Sequence, residues 1–224
     1  MADILLVLPV LLFSVVAHEY AHAWTALRQG DDTALQLGRL TMNPLPHLDL
    51  MNSVIVPVGL WILSNGTFTF GAAKPVPVNP ANYRHPRRGD IVVSVAGITM
   101  NLLLALAGGL LFAAFGLLGQ ATGASRLFGT LQAVASAAVL VNLLLGFFNL
   151  IPLPPLDGSH VLAQLLPPAW REGYRSVGRF GLAALLLAMI LVPRVGSLVF
   201  WPVSAMTDVA RDLLAPFALG GGGS

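Results

Sequence analysis

Apolar residues fill four long stretches of the chain, and polar positions collect between them. Residues 4–27 form the first stretch. At 1.5 Å per residue they are long enough to cross a hydrocarbon core of about 30 Å with some tilt, and Pro9 offers a place for a kink. Residues 91–118 form the second, in which Ser94, Thr99 and Asn101 are the main polar interruptions and Gly108-Gly109 permits close helix approach. Residues 127–151 form the third. It runs into Asn149-Leu150-Ile151-Pro152-Leu153-Pro154-Pro155-Leu156-Asp157-Gly158, whose prolines stop regular helix and leave backbone groups in need of partners. The fourth, residues 180–215, is divided by Pro193-Arg194 and reads either as one kinked helix or as two shorter ones.

The intervening segments behave differently. Residues 29–50 are mixed and polar, with turn signals at Gly30-Asp31-Asp32, Gly38-Arg39 and Asn43-Pro44-Leu45-Pro46-His47. Residues 51–63 are apolar but short and interrupted by Asn52, Pro57 and Gly59, which fits a short span, a re-entrant segment or a buried hairpin. Alternating prolines in Lys74-Pro75-Val76-Pro77-Val78-Asn79-Pro80 forbid helix and predict extended chain. A basic loop with Arg84, Arg87 and Arg88 follows. The expected fold is an all-α polytopic membrane bundle, one embedded domain over residues 1–219, with a small membrane-associated β or extended element and a re-entrant segment. Gly220-Gly221-Gly222-Gly223-Ser224 reads as an appended linker.

Composition agrees with a membrane protein. The 224 residues are 56% hydrophobic and only 10% charged, with a mean hydropathy of +0.78, whereas soluble domains carry roughly 25% charged residues. A formal charge of +2 concentrated in a few loops points to lipid headgroups rather than nucleic acid. Cysteine is absent, so a transition metal would have to be held by His and carboxylate. The N-terminal run has no basic leader region and contains His18, Glu19 and His22 where a cleavage region would lie, so it reads as a retained span rather than a signal peptide.

Those three residues are the chemically unusual feature of the chain. On a helix His18 and His22 share a face, so both imidazoles reach one metal ion. Glu19 projects about 100° around the axis from His18, close enough to take a proton from a water at the metal without being a ligand. Ionisable groups in an apolar span are costly and usually mark a site. A hydrolytic zinc site uses three protein ligands, and Asp157, at the end of the third apolar run, is the best-placed third. His160, three residues on, competes with it. His47 and His85, in polar loops, read as surface or interfacial residues.

His18-Glu19-Tyr20-Ala21-His22 together with Asn149 through Gly158 resembles the paired signatures of the site-2 protease family of intramembrane zinc metalloproteases. The likeness extends to residues 74–80 and to Ala96-Gly97-Ile98-Thr99-Met100-Asn101, although Ile98 stands where the family more often has proline. With no PDZ-like insertion in the chain, the resemblance is to the compact members. It implies that His18, His22 and Asp157 bind Zn²⁺, that Glu19 is the general base, that Asn149 steadies the bound water or the developing oxyanion, and that Asn101 lines or braces the site.

The pairing also constrains topology. Both motifs end their helices, so the first and third spans must run parallel to share one metal, and residues 28–90 must begin and end on the same side. Arg28, Arg39, Lys74, Arg84, Arg87, Arg88, Arg171, Arg175 and Arg179 then fall on one side with Arg126 opposite, which makes the crowded side cytoplasmic. In extended chain Pro75 and Pro77 remove donors from one edge only, and the edge using Lys74, Val76 and Val78 can pair with an unwound substrate; a stiff polyproline linker is the other reading. The expected function is hydrolysis of a peptide bond in the transmembrane segment of a single-span protein, at the cytoplasmic side of the cell membrane. The alternative is an intramembrane metal carrier or sensor. Oligomeric state is not set by the sequence.

Overall fold

The computed structural model describes residues 2–48 and 74–219, with Ile55, Gly59 and Ile62 between them. The expected re-entrant segment therefore falls largely outside the described residues, as does the glycine-rich end. The first apolar run folds as helix α1 (Ala2–Gln29), with Pro9 inside it. Gly30 ends it at φ +109, a left-handed turn that disfavours a side chain. A single short turn, α2 (Thr33–Gln36), follows.

The second and third runs form α3 (Pro86–Thr122) and α4 (Ser125–Leu150). Helix α3 starts five residues before the apolar run does. Pro86 suits a first helical turn, where no N–H partner is required, and Arg87 and Arg88 have side chains long enough to reach headgroups from a helix end. Gly123 closes α3 in the left-handed region at φ +70 and donates its N–H to Gly119.

Contacts between these helices fix their directions. His18 and His22 of α1 meet Asn101 and Val93 of α3, so numbering rises on one helix as it falls on the other. Asn101 meets Asn142, and Phe112 meets Gln132, so α3 and α4 are also antiparallel. Since both are antiparallel to α3, helices α1 and α4 run parallel, and Ser14 meets Asn142 between them. Sharing one metal between two motifs at helix ends demands this arrangement.

Beyond α4 the chain forms α5 (Asp157–Leu165), α6 (Pro168–Ser176), α7 (Gly181–Leu191) and α8 (Pro193–Leu214). The fourth apolar run is therefore two helices broken at Val192 and Pro193. Val203 of α8 packs with Ala105, Val139 and Leu143 in a buried cluster. Further along, Gln132 of α4 receives the N–H of Leu219 and donates to the carbonyl of Phe217, so α8 runs in the direction of α3 and ends beside the α3–α4 hairpin. Arg211, paired with Asp208, thus joins Arg126 at that end of the bundle.

Among the described residues, three helices are long and apolar enough to span a bilayer. Their outward faces are leucine-rich: Leu103, Leu106 and Leu110 of α3 are more than half exposed. Such a continuous apolar face is stable against lipid rather than water. This is an integral membrane protein. No strand forms among the described residues, and the proline-rich segment from Lys74 on packs on α1 through Val76 and Ala23.

Candidate metal centre

Helix α1 positions the centre. Its small residues Ala17, Ala21 and Ala26 are buried and let the neighbouring helices approach closely. The rings of His18 and His22 meet edge to face at 4.6 Å between centroids, with their Nε2 atoms 3.0 Å apart. Asp157, the first residue of α5, places Oδ2 3.2 Å from His18 Nε2 and 3.3 Å from His22 Nε2. Among the described residues this is the one group of three His, Cys, Asp or Glu side chains close enough to share an ion.

Tetrahedral zinc with ligands at about 2.0–2.1 Å holds neighbouring ligand atoms about 3.3 Å apart. The three separations in this site, 3.0, 3.2 and 3.3 Å, are of that size. Asp157 Oδ2 is buried without a hydrogen-bond partner, a costly state that a cation between the three atoms would relieve. His22 Nδ1 donates to the carbonyl of Val93 at 2.7 Å, and His18 Nδ1 donates to Asn101 Oδ1. Because each partner is an acceptor, each Nδ1 holds the proton and each Nε2 keeps its lone pair for a metal.

Space is equally specific. A Cβ on Gly97 of α3 would fall against His22 Nε2 and within 2.7 Å of His18 Nε2. On the far side, a Cβ on Gly158 would meet the backbone of Leu150, so Gly158 lets the Asp157 turn close onto the end of α4. Donor set, spacing, orphaned oxygen and cradle all fit zinc.

Glu19 is not one of the three converging groups. Its Oε2 accepts the N–H of Val76 at 2.7 Å, which places the proline-rich segment against Glu19. Val76 is buried among Ala23 and Ala34, while Lys74 and Pro75 are exposed and Pro77 and Val78 half-buried. Lys74 donates its N–H to the carbonyl of His47 at 2.9 Å. The edge left open by the prolines is therefore already engaged inside the chain at two of its donors. Asn149 donates from Nδ2 to Leu145 at 3.0 Å, which leaves its second amide hydrogen for another partner. Asn101 is fully buried behind His18, the position of a brace.

The loop histidines divide. His85 is exposed as expected. His47 is not a surface residue: it is 1% exposed, with Nε2 against the carbonyl of Thr41 at 3.0 Å. Proximity in sequence to polar residues misleads here because residues 39–47 fold under the 74–76 segment. His160 is exposed and turns to Asp90, with Nδ1 3.3 Å from Oδ1, and does not join the Asp157 group.

Sequence reasoning missed the groups that hold this segment in place. Arg39, buried, donates to the carbonyls of Lys74 and Pro75 at 2.8 and 3.3 Å. Asp31, 1% exposed, accepts from the N–H of Asn79 at 2.7 Å, from Asn82 Nδ2 at 2.9 Å and from the N–H and hydroxyl of Thr33. Burial alone would raise the Asp31 carboxyl, but these donors outweigh it and hold it below the ordinary value. Asp31→Asn is expected to cost roughly 1–3 kcal/mol near neutral pH, measured by thermal unfolding in detergent. An unfolded Asp titrates near 3.9, and the folded group titrates lower. Its contribution is therefore complete above about pH 4 and is lost as the pH falls through the folded value, so wild type and variant converge in acid.

Comparison with known proteins agrees with this geometry. The model of "Peptidase family M50" matches residues 116–191, the stretch that includes Asn149 and Asp157. "Putative zinc metalloprotease YwhC" of Bacillus subtilis is 37% identical over 202 residues, covering 90% of this chain and 85% of that protein. "Putative zinc metalloprotease Rip2" of Mycobacterium tuberculosis strain H37Rv is 34% identical over 203 residues, covering 89% and 71% respectively. The protein of the same name in Mycolicibacterium smegmatis is 31% identical over 198 residues, covering 85% and 70%. No solved structure matches the chain at comparable significance. Apolar helices and relatives together define a membrane zinc metalloprotease. The chain belongs to peptidase family M50, the site-2 proteases.

Proposed function

We propose that this protein is an intramembrane endopeptidase that hydrolyses a peptide bond in the transmembrane segment of a single-span substrate, with Zn²⁺ held by His18, His22 and Asp157. The observation that supports this most strongly is the convergence of those three ligand atoms inside a bundle of spanning helices. His22 lies seven residues before the end of α1, or about 10 Å along the helix, a depth that an apolar substrate segment occupies. When bound, zinc polarises a carbonyl and lowers the pKa of water.

The chain's own groups do the rest. Glu19 accepts the proton released as water attacks and hands it to the leaving amine. The Val76 N–H steadies one carboxylate oxygen of Glu19 and leaves the other for the proton. The second amide hydrogen of Asn149 serves the oxygen on which negative charge develops. Val93 and Asn101 hold the two imidazoles in the required tautomer.

The basic residues support an active site facing the cytoplasm across the cell membrane. Arg28, Arg84, Arg87 and Arg88 lie where α1 ends and α3 begins, and an excess of such residues marks a cytoplasmic face.

Reconstitution into proteoliposomes separates this function from metal transport. Wild type with a co-reconstituted single-span substrate and a zinc-sensitive dye inside the vesicles is expected to cut the substrate without moving zinc. Zinc flux without proteolysis would establish the carrier instead.

A further inference from the structure

The two imidazoles are fixed by different means. His22 Nδ1 reaches a backbone carbonyl in one step, and a carbonyl only accepts. His18 Nδ1 instead meets a side-chain amide, Asn101, which could in principle turn either end towards it. If Asn101 presented its NH₂ group, His18 Nδ1 would have to accept, the ring proton would move to Nε2, and the nitrogen facing the metal would be blocked. Something must determine which way Asn101 points.

The answer lies one helix further on. Asn101 Nδ2 donates to Asn142 Oδ1 at 2.9 Å. Asn142 in turn donates from Nδ2 to the backbone carbonyl of Ala138 at 2.9 Å and to Ser14 Oγ at 2.8 Å. The Ala138 carbonyl is the anchor. Since it accepts only, the NH₂ end of Asn142 must face it, so Oδ1 of Asn142 must face Asn101. Asn101 must then offer NH₂ to Asn142 and Oδ1 to His18. Asn101, Asn142 and Ser14 are each no more than 1% exposed, so no water competes for these positions, and a reversed amide would leave buried donors opposed. The chain links α3, α4 and α1, the three helices that build the centre.

We propose that Asn142, assisted by Ser14, is a positioning residue for the zinc site: it orients the Asn101 amide and thereby fixes His18 in the tautomer that leaves Nε2 bare for the metal. This rests on the assignment of His18, His22 and Asp157 as the zinc ligands. Outer partners of metal-bound histidines typically contribute 10–100-fold in metal affinity.

Zinc affinity of the purified full-length protein, measured by competition with a chromophoric chelator, tests the proposal in a double-mutant cycle. Asn142→Leu is expected to weaken zinc binding about tenfold. In an Asn101→Asp background the same change should cost nothing, because a carboxylate has no NH₂ to turn towards His18 and accepts from Nδ1 in either orientation. Equal losses in both backgrounds, as simple mispacking of α4 would produce, overturn the proposal, and so does an unchanged affinity for Asn142→Leu. If the leucine variant does not fold, Asn142→Ala carries the same pair of expectations. His22→Ala serves as the control: retention of zinc in that variant would defeat the ligand assignment itself, whereas its loss, with Asn142→Leu unchanged, defeats only the role of Asn142.

Discussion

Glu19→Gln is expected to leave zinc content at the wild-type level and to lower the rate of substrate cleavage by roughly 10²–10⁴-fold, the usual contribution of a positioned general base. Metal is retained because Glu19 is outside the group of three ligand atoms. The local fold is retained because a glutamine carbonyl can still accept the Val76 N–H now bound to Oε2. What glutamine cannot do is hold the proton. Metal analysis of the purified variant beside a cleavage assay with a single-span substrate checks both halves, and wild-type proteolysis by Glu19→Gln would remove Glu19 from the mechanism.

Gly97→Ala tests the site from the opposite direction, by geometry alone. The added methyl would sit against His22 Nε2, 2.5 Å from His18 Cε1 and 2.7 Å from His18 Nε2, in the space from which both ligand atoms face Asp157. Either the rings turn away or α1 and α3 separate, and both outcomes destroy the coincidence of three donors. Zinc affinity is expected to fall at least about 100-fold, equivalent to roughly 2.7 kcal/mol. Gly109→Ala is the matched control on the same helix. Its Cβ would find only a Leu214 methyl carbon at 3.9 Å, so zinc binding should be unchanged.

The parts of this structure legible in the sequence are those governed by short-range periodicity. The apolar runs give α1, α3 and α4 because a bilayer demands long, internally hydrogen-bonded elements. The four-residue spacing of His18 and His22 puts them on one face whatever surrounds them. Asp157 stands out because few acidic residues lie inside or just beyond the apolar spans, and the parallel helices that its pairing with His18 and His22 requires are those that the α1–α3 and α3–α4 contacts give.

Less legible were the features that depend on long-range partners. Nothing near Asp31 in sequence announces Asn79, 48 positions away, and nothing near Arg39 announces the carbonyls of Lys74 and Pro75. His47 reads as a surface residue from its polar neighbours, yet it is buried beneath the segment that Lys74 begins. Asn142 and Ser14 did leave a signal. Each is an isolated polar side chain inside an apolar run, and a polar group in such a place needs a partner. The sequence does not say which partner, because the pairing depends on the rotation of three helices about their axes.

The Val76 contact joins these two levels. The prolines at 75 and 77 predict a segment that cannot be helical, and the structure presses it against Glu19. His47 and Glu19 hold the N–H groups of Lys74 and Val76, and Arg39 holds the carbonyls of Lys74 and Pro75, so the position of the segment relative to Glu19 is set by the protein itself.

The zinc centre proposed for this protein acts on a peptide bond within a membrane segment. Mass-spectrometric mapping of the products made by zinc-loaded wild type from a single-span substrate in proteoliposomes tests it most directly. The expected result is a scissile bond inside the apolar segment, towards its cytoplasmic end. Cleavage confined to the loops outside that segment, or none from fully zinc-loaded protein across a panel of single-span substrates, would contradict it.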